Sequence, residues 1–319
     1  MSGRGLLLGA DVGGTSVKFV VTDAHGARVA AGRVPTDDDD AGATLAALAE
    51  AVAGAAGDGI AAMGLACAGV VDPVAGSLGR APNLPGWQGE NLRALARAAF
   101  GAVPCALAND VNAALMGEQR FGAARGKRDV VMYALGTGVG GGVMVDGRLI
   151  VGRHCGAGEL GHVVIDPGGP MCGCGNRGCV EAFVGAVALA AEVRRHGAAT
   201  RHDPEMQALL GESDDHLPRA LAELAGRGHA DAVAIYRDAG RRLGRAVGGV
   251  VNTLDPELVV IGGGVAQAGD LILEPCREEA ARVILGEASK AVPIVPAELG
   301  PEAAALGAAA LAREEVAGT

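Results

Sequence analysis

Apolar residues alternate with small or polar ones in three short runs near the start of the chain. That period of two predicts strands at Leu6–Ala10, Val17–Thr22 and Arg28–Val34. The spacing then lengthens to three and four across Ala41–Ala56, which predicts a helix, and a strand follows near Met63–Ala66. Glu90–Phe100 reads as a helix, Val103–Ala108 as a strand and Val111–Arg120 as a helix. The opening pattern then recurs: strand Val130–Leu135, a glycine-rich turn, and strands at Gly142–Val145 and Leu149–Val151. Thr200–Arg227 is polar and irregular, and predicts a helical insertion on the surface. Ala230–Leu254 reads as a long helix, Leu258–Ile261 as a buried strand and Ile272–Ile284 as a helix. The last helix, Glu302–Arg313, starts just after Pro301, a favourable first-turn residue.

The two openings superpose at an offset of 123 residues, with Gly13 on Gly136, Val20 on Val143 and Asp23 on Asp146. Each then turns through a glycine, Gly26 or Gly147, into another apolar strand. This predicts a duplicated β-β-β-α unit: an α/β protein of two similar domains with an interdomain cleft. The expected boundaries are residues 1–118 plus the C-terminal helix 302–319 for a small domain, and 119–301 for a larger one.

Composition narrows the function. Half of the 319 residues are hydrophobic, enough for a sizeable core, and the 53 glycines have no G-X-Y period, which excludes collagen and a flexible linker protein. The net charge of −10 argues against a nucleic-acid surface, and a 2% aromatic content argues against base-stacking or sugar-stacking platforms. The apolar run at the N-terminus is too short for a signal peptide, and no stretch of 18 uncharged apolar residues occurs. The expectation is a cytoplasmic protein with no membrane partner. Three of its seven cysteines cluster as Cys172-Gly-Cys174-Gly-Asn-Arg-Gly-Cys179; the other four, scattered among apolar neighbours, read as buried thiols.

Five motifs carry chemistry. Asp11-Val-Gly13-Gly14-Thr15-Ser16-Val-Lys18 follows a strand. Its glycines allow backbone N–H groups to approach an anion, and Asp11 is placed to hold a water on Mg²⁺; a tight hairpin is the plainer alternative. Leu135-Gly136-Thr137-Gly138-Val-Gly-Gly-Gly is a second phosphate cradle, since a strand and not a helix follows it, unlike a dinucleotide fingerprint. Gly262-Gly263-Gly264 suits either a nucleoside lying on bare backbone or a close strand-to-helix turn. Asn109-Asp110 stands where a strand ends and a helix starts, so one residue can cap the helix and the other can act as a general base. Finally, His162 precedes the three clustered cysteines by ten residues and completes a four-ligand set suited to structural Zn²⁺. A metal would order a Gly- and Pro-rich segment, residues 166–178, that has almost no apolar core of its own. The carboxylate run Asp37–Asp40 reads as a solvated turn, and His25, His154, His196, His202, His216 and His229 as solvent-exposed.

Together Asp11-Val-Gly-Gly-Thr15, Asn109-Asp110, Leu135-Gly-Thr-Gly-Val-Gly-Gly-Gly142, Gly158-Glu-Leu-Gly-His162 and Cys172-Gly-Cys-Gly-Asn-Arg-Gly-Cys179-Val-Glu181 resemble the ROK family of repressors and sugar kinases, and within it the bacterial glucokinases. The resemblance runs from about Gly9 to the last helix. It implies the actin-like ATPase fold with two ribonuclease-H-like domains, and ATP-dependent phosphorylation of the glucose 6-hydroxyl. Asp110 matches the family's catalytic base. Asn83, Asn109, Glu159, His162 and Glu181 match its sugar ligands, and His162, Cys172, Cys174 and Cys179 its zinc ligands. Asp11, Gly13, Gly14, Thr15, Lys18, Gly136, Thr137, Gly138 and Gly262–Gly264 fall on the ATP and Mg²⁺ side. The resemblance also implies a homodimer or homotetramer whose partners are a sugar and a nucleotide. Kinases for N-acetylglucosamine, N-acetylmannosamine, fructose or allose are the alternatives. A sugar-responsive repressor would need a DNA-binding domain ahead of Asp11, where ten residues stand.

Overall fold

The computed structural model describes residues 5–57, 59–199, 203–214 and 216–317. In chain order the first elements are β1 (Leu6–Val12), β2 (Ser16–Thr22), β3 (Arg28–Pro35), α1 (Ala41–Ala56), β4 (Ile60–Cys67), β5 (Val71–Asp72) and β6 (Ser77–Leu78). Next come α2 (Leu92–Phe100), β7 (Cys105–Asn109), α3 (Asp110–Phe121), β8 (Val130–Leu135), β9 (Val139–Val145) and β10 (Arg148–Leu149). Helices α4 (Glu181–Val184), α5 (Ala186–Ala199), α6 (Pro204–Leu209), α7 (Leu217–Gly226) and α8 (Ala230–Leu254) follow. The chain finishes with β11 (Leu258–Gly262), α9 (Asp270–Val283), β12 (Ile294–Pro296) and α10 (Ala303–Ala317).

Two compact units result. The first takes the described residues of 1–126, 149–157 and 298–319, the second those of 127–148 and 158–297. Their sheets share one topology: β3-β2-β1-β4-β7 in the first and β10-β9-β8-β11-β12 in the second. In each, the first strand of the unit pairs antiparallel with the second and parallel with the fourth, and a further parallel strand closes the far edge. The internal duplication is therefore real at the level of strand order.

In the first unit the alternation along β1 and β4 sorts residues by size. Leu8, Ala10, Val12, Met63, Leu65 and Cys67 face a core with Leu45 and Leu48 of α1 and Leu92 of α2. The opposite face carries Leu7, Ala62 and Ala66 against Ala305, Ala308 and Ala309 of α10. Glycine lets α10 lie flat there, because a Cβ on Gly9 or Gly64 would collide with the backbone carbonyls of Ala305 and Ala308. The same holds where α10 meets α3, at Gly117 and Gly307. Gly64→Val is expected to destabilise by about 3 kcal/mol or more, since backbone cannot yield as a side chain can; a thermal melt checks it. Glu118, fully buried on α3, accepts N–H groups from Ala123 (2.8 Å), Glu298 (3.0 Å) and Leu299 (2.9 Å), and so fastens the chain where it re-enters this unit.

In the second unit, Val131, Tyr133 and Leu135 of β8 with Val259 and Ile261 of β11 form the sheet side of a core shared with α5, α7, α8 and α9. Helix α8 approaches α9 through Gly240, Gly244 and Gly248, where any Cβ would press on Ile272 O (2.5 Å), Cys276 O (2.5 Å) and Val283 Cβ (2.6 Å). Spacing by four places the three glycines on one helix face.

Several expectations change. The expected surface helices are present as α6 and α7, but α7 also buries Leu217, Leu221 and Leu224 in the core of the second unit, and the Tyr236 hydroxyl donates to Pro218 O (2.5 Å). Residues 200–202 and 215, His202 included, lie outside the described residues. His229 is not exposed: its Nδ1 accepts the Ala232 N–H (3.4 Å) at the start of α8, and its Nε2 lies 2.8 Å from Asp203. Helix α5 was not foreseen. Of the scattered thiols, Cys67, Cys105 and Cys276 are buried, whereas Cys155 is half-buried.

Candidate active site and metal centre

In the first unit the parallel strands β1, β4 and β7 end side by side, with Val12 paired to Cys67 and Cys67 to Asn109. Asp11 and Asp110 therefore stand at the same sheet edge, where open α/β sheets place their ligands. Asn109 is the helix cap: its Oδ1 accepts N–H groups from Val111 (2.9 Å) and Asn112 (3.2 Å), and its Nδ2 donates to Gly69 O (3.1 Å). Asn109 takes both cap N–H groups, and Asp110 Oδ1 shares the Val111 N–H (2.9 Å). Burial, and secondarily the negative charge of Asp11, push its carboxyl up to about 6, against the lowering effect of the Val111 N–H. Burial also raises the Asp11 carboxyl, and Lys18, 3.7 Å away across the β1–β2 pair, opposes that rise.

Gly13 N–H donates to Ser16 O (3.2 Å), closing the β1–β2 turn, so the hairpin is present as well as the glycines. Gly14 has a packing reason: a Cβ there would lie 2.7 Å from Asn83 O. Asn83 itself is exposed on a loop anchored by Trp87, which is fully buried and donates from Nε1 to Asp37 O (2.8 Å). The Asp37–Asp40 run is exposed, as expected, but its backbone clamps this loop, with Gly86 N–H donating to Asp38 O (3.0 Å).

In the second unit Gly136, Thr137 and Gly138 link β8 to β9. The glycine run reads as a turn in sequence, yet β9 already begins at Val139, and Gly140–Gly142 pair with β8. Gly138 has no room for a Cβ because Glu181 Oε2 sits there, accepting the Val139 N–H (3.0 Å). Gly141 and Gly161 let the 159–162 turn rest on β9, since a Cβ on either would strike Gly158 O or Val139 O. Gly263, at φ +92, packs on the Leu135 backbone, and so a structural turn explains it. Gly136 and Gly264 differ. Neither needs a positive φ, and a Cβ on either would meet no atom within 4 Å. Packing and backbone conformation therefore give no reason for glycine at these two positions.

The metal set is assembled as expected. Donor atoms of His162, Cys172, Cys174 and Cys179 all lie within 4.8 Å of one another. Cys174 Sγ is 3.7 Å from Cys179 Sγ, and Cys172 Sγ is 3.6 Å from His162 Nδ1. Tetrahedral Zn²⁺ with ordinary bond lengths requires edges of about 3.8 Å for S···S and about 3.5 Å for S···N. The residues therefore fit zinc. Burial pushes the Cys172 thiol up to about 12, while the Asn176 N–H holds Cys174 below its ordinary value. Glu181 adjoins this centre, with Cys172 Sγ 3.3 Å from its Oε1. Glu159 is exposed at the start of the turn that carries His162, whose N–H donates to Glu159 O (3.0 Å).

Sequence reading passed over one supporting residue. Arg242 of α8 donates to Asp166 (3.0 Å) and lies 4.4 Å from the centre of the Phe183 ring, so it holds both sides of the metal-binding segment. No local motif marks it.

A ROK family model matches residues 7–315. The chain is 35% identical over 314 residues to the glucokinase of Streptomyces coelicolor, covering 97% of this chain and 98% of that one. It is 37% identical over 257 residues to the glucokinase of Thermotoga maritima, 80% of each chain. Among solved structures it resembles a ROK family glucokinase from Streptomyces griseus in complex with glucose and AMPPNP, with 35% identity and a TM-score of 0.81, over 97% of this chain and 100% of that one. Likeness of this extent, joined to the duplicated sheet and the His/Cys centre, makes the chain a member of the ROK family.

Proposed function

We propose that the protein is an ATP-dependent glucose kinase that phosphorylates the 6-hydroxyl, with Asp110 as general base. The observation that carries this reading is the division of labour at the start of α3, where Asn109 caps the helix and leaves Asp110 desolvated and raised to about 6. A base of that strength is mostly ionised at neutral pH yet basic enough to accept a proton from an alcohol that is losing it. As O6 attacks the γ-phosphorus, its proton passes to Asp110, the bond to the bridging oxygen breaks, and ADP leaves.

In the first unit Asn83 and Asn109 contact sugar hydroxyls, and N–H groups of Gly14 and Thr15 face phosphate from the turn that Gly13 closes onto Ser16 O. Asp11, with Lys18 beside it, is the group that would hold Mg²⁺ through water, and the ion supplies neutralisation of phosphate charge. In the second unit Glu159, His162 and Glu181 contact sugar, Gly136–Gly138 cradle phosphate, and Gly262–Gly264 lie under the nucleoside. His162, Cys172, Cys174 and Cys179 would hold zinc, which would supply structural order there, with the His162 ring fixed and Glu181 kept in register.

The test is a coupled assay over glucose, fructose, allose, N-acetylglucosamine and N-acetylmannosamine, with ATP and polyphosphate as donors. Glucose with ATP is expected to have the highest kcat/KM, and another preferred sugar would overturn the substrate assignment. Because Gly136 faces open space, Gly136→Ala is expected to leave the melting temperature unchanged while raising the ATP KM by about tenfold. No helix among the described residues is long and apolar enough to cross a membrane, in keeping with a cytoplasmic enzyme. The family also implies two or four chains per particle, so light scattering should return a multiple of 31.5 kDa.

A further inference from the structure

The first unit contains a cavity of about 450 Å³, walled by β7, by Val71 and Pro73, by residues 149–155 and by the end of α10. That volume lies within the ~300–1,000 Å³ usual for small-molecule sites. Its walls are held in place from outside. Arg93 donates to the carbonyls of Pro73 (2.6 Å), Val74 (3.2 Å) and Cys105 (3.3 Å), which fixes one wall to β7. The opposite loop closes on itself through Ala157 N–H to Val151 O (3.1 Å), with Gly152 at φ +76 and Cys155 at φ +57.

Most of the lining is aliphatic, with polar exceptions. Asn112 is only 6% exposed, yet its Oδ1 is buried with no hydrogen-bond partner. An acceptor left so costs roughly 1–3 kcal/mol, and a small rotation of the Asn112 amide towards the cavity would let a ligand donor recover it. The other exceptions include the carboxylates of Glu314 and Glu315, on the exposed side of α10. Desolvation raises the Glu314 carboxyl despite the attraction of Arg120, so added positive charge there is favoured.

We propose that this cavity is a binding site for a small organic cation with an apolar body, a primary amine that also carries a hydroxyl donor. The hydroxyl donates to Asn112 Oδ1, the aliphatic chain lies against Leu107, Val151 and Leu311, and the ammonium pairs with Glu314 at the mouth. Asn109 also lines this cavity, so the site adjoins the proposed sugar contacts, but its test does not depend on activity.

The probes are ω-amino alcohols of three to six carbons, with the matching alkanols and hydroxy acids as controls, titrated by calorimetry and by ligand-observed NMR. At least one amino alcohol is expected to bind in the millimolar range, about fivefold or more tighter than its uncharged and anionic counterparts. Asn112→Leu removes the acceptor and is expected to weaken binding about tenfold. Glu314→Gln should erase the preference for the amine over the alkanol. Val151→Trp fills the cavity from the loop and should abolish binding even if Asn112→Leu fails to fold. No binding by any probe, equal binding by all three classes, or undiminished binding to Val151→Trp would overturn the proposal.

Discussion

Replacing Asp110 with Asn is expected to lower kcat by about 10²–10⁴-fold while leaving the glucose dissociation constant within a few-fold of its starting value. The amide keeps the size and one acceptor oxygen of the carboxylate, but cannot take up the O6 proton. The same substitution is expected to stabilise the fold. A carboxyl at about 6 in the folded protein, against 3.8 ordinarily, favours the protonated form when folded, so ionisation above about pH 6 opposes folding. The implied cost is roughly 3 kcal/mol above the folded pKa and vanishes below about pH 4. Asp110→Asn should therefore melt higher than the unaltered protein at pH 8, and the two should converge as pH falls from 6 to 4. In the unaltered enzyme the same group should make kcat/KM fall about tenfold per pH unit below about 6. Near-normal turnover in the variant would end the assignment of Asp110 as base, and a lowered melting point would mean that its role is structural.

Cys174→Ser is expected to lose the metal and, with it, most of the affinity for sugar. Elemental analysis should find about one zinc per chain before the change and almost none after it. The segment around the centre is held mainly by short-range backbone bonds, such as Cys172 N–H to Asn176 O (2.8 Å) and Gly178 N–H to Pro170 O (2.8 Å). Structural zinc contributes about 10–16 kcal/mol to ordering in small domains, far more than these turns can replace. Without it His162 loses the bond that fixes its ring, and Glu181 loses the neighbour that confines it. The glucose KM should rise by about 10–100-fold or more, with kcat falling less, since Asp110 is in the other unit. A metal-free protein with full activity would remove zinc from the account.

The site was legible in the sequence to the extent that its chemistry is local. The structure assembles the His162 and cysteine set and puts Asp11 and Asn109-Asp110 at one sheet edge, and each of these comes from a short motif whose spacing is visible in the chain. Helix α8 matched its expected span, Ala230–Leu254, because strong apolar periodicity ends at Asp255, which adopts a left-handed conformation at φ +46. Contacts distant in sequence were not legible. Arg242 reaches Asp166 and Phe183, Glu118 takes the Glu298 and Leu299 N–H groups, and Trp87 finds Asp37; none has a spacing rule. Glycine misled in both directions. Gly140 and Gly141, expected in the turn, form strand because β8 supplies the partner that their own propensity does not. Gly240, Gly244 and Gly248 belong to no motif and are the surface on which two helices meet.

The flat alanine and glycine face between α10 and the first sheet also bears on how the molecule is made. Strands β1, β4 and β7 and helix α3 are synthesised early, but the helix that covers one face of their sheet begins only at Ala303. At ~5–20 residues per second, translation from Gly126 to that helix takes about 10–35 s. Throughout that interval one face of the nascent first sheet lacks α10 and has only α3 against part of it. A purified fragment ending at residue 297 should therefore show a protease-resistant second unit and a first unit that is still cleavable, and adding α10 as a separate peptide should protect the first.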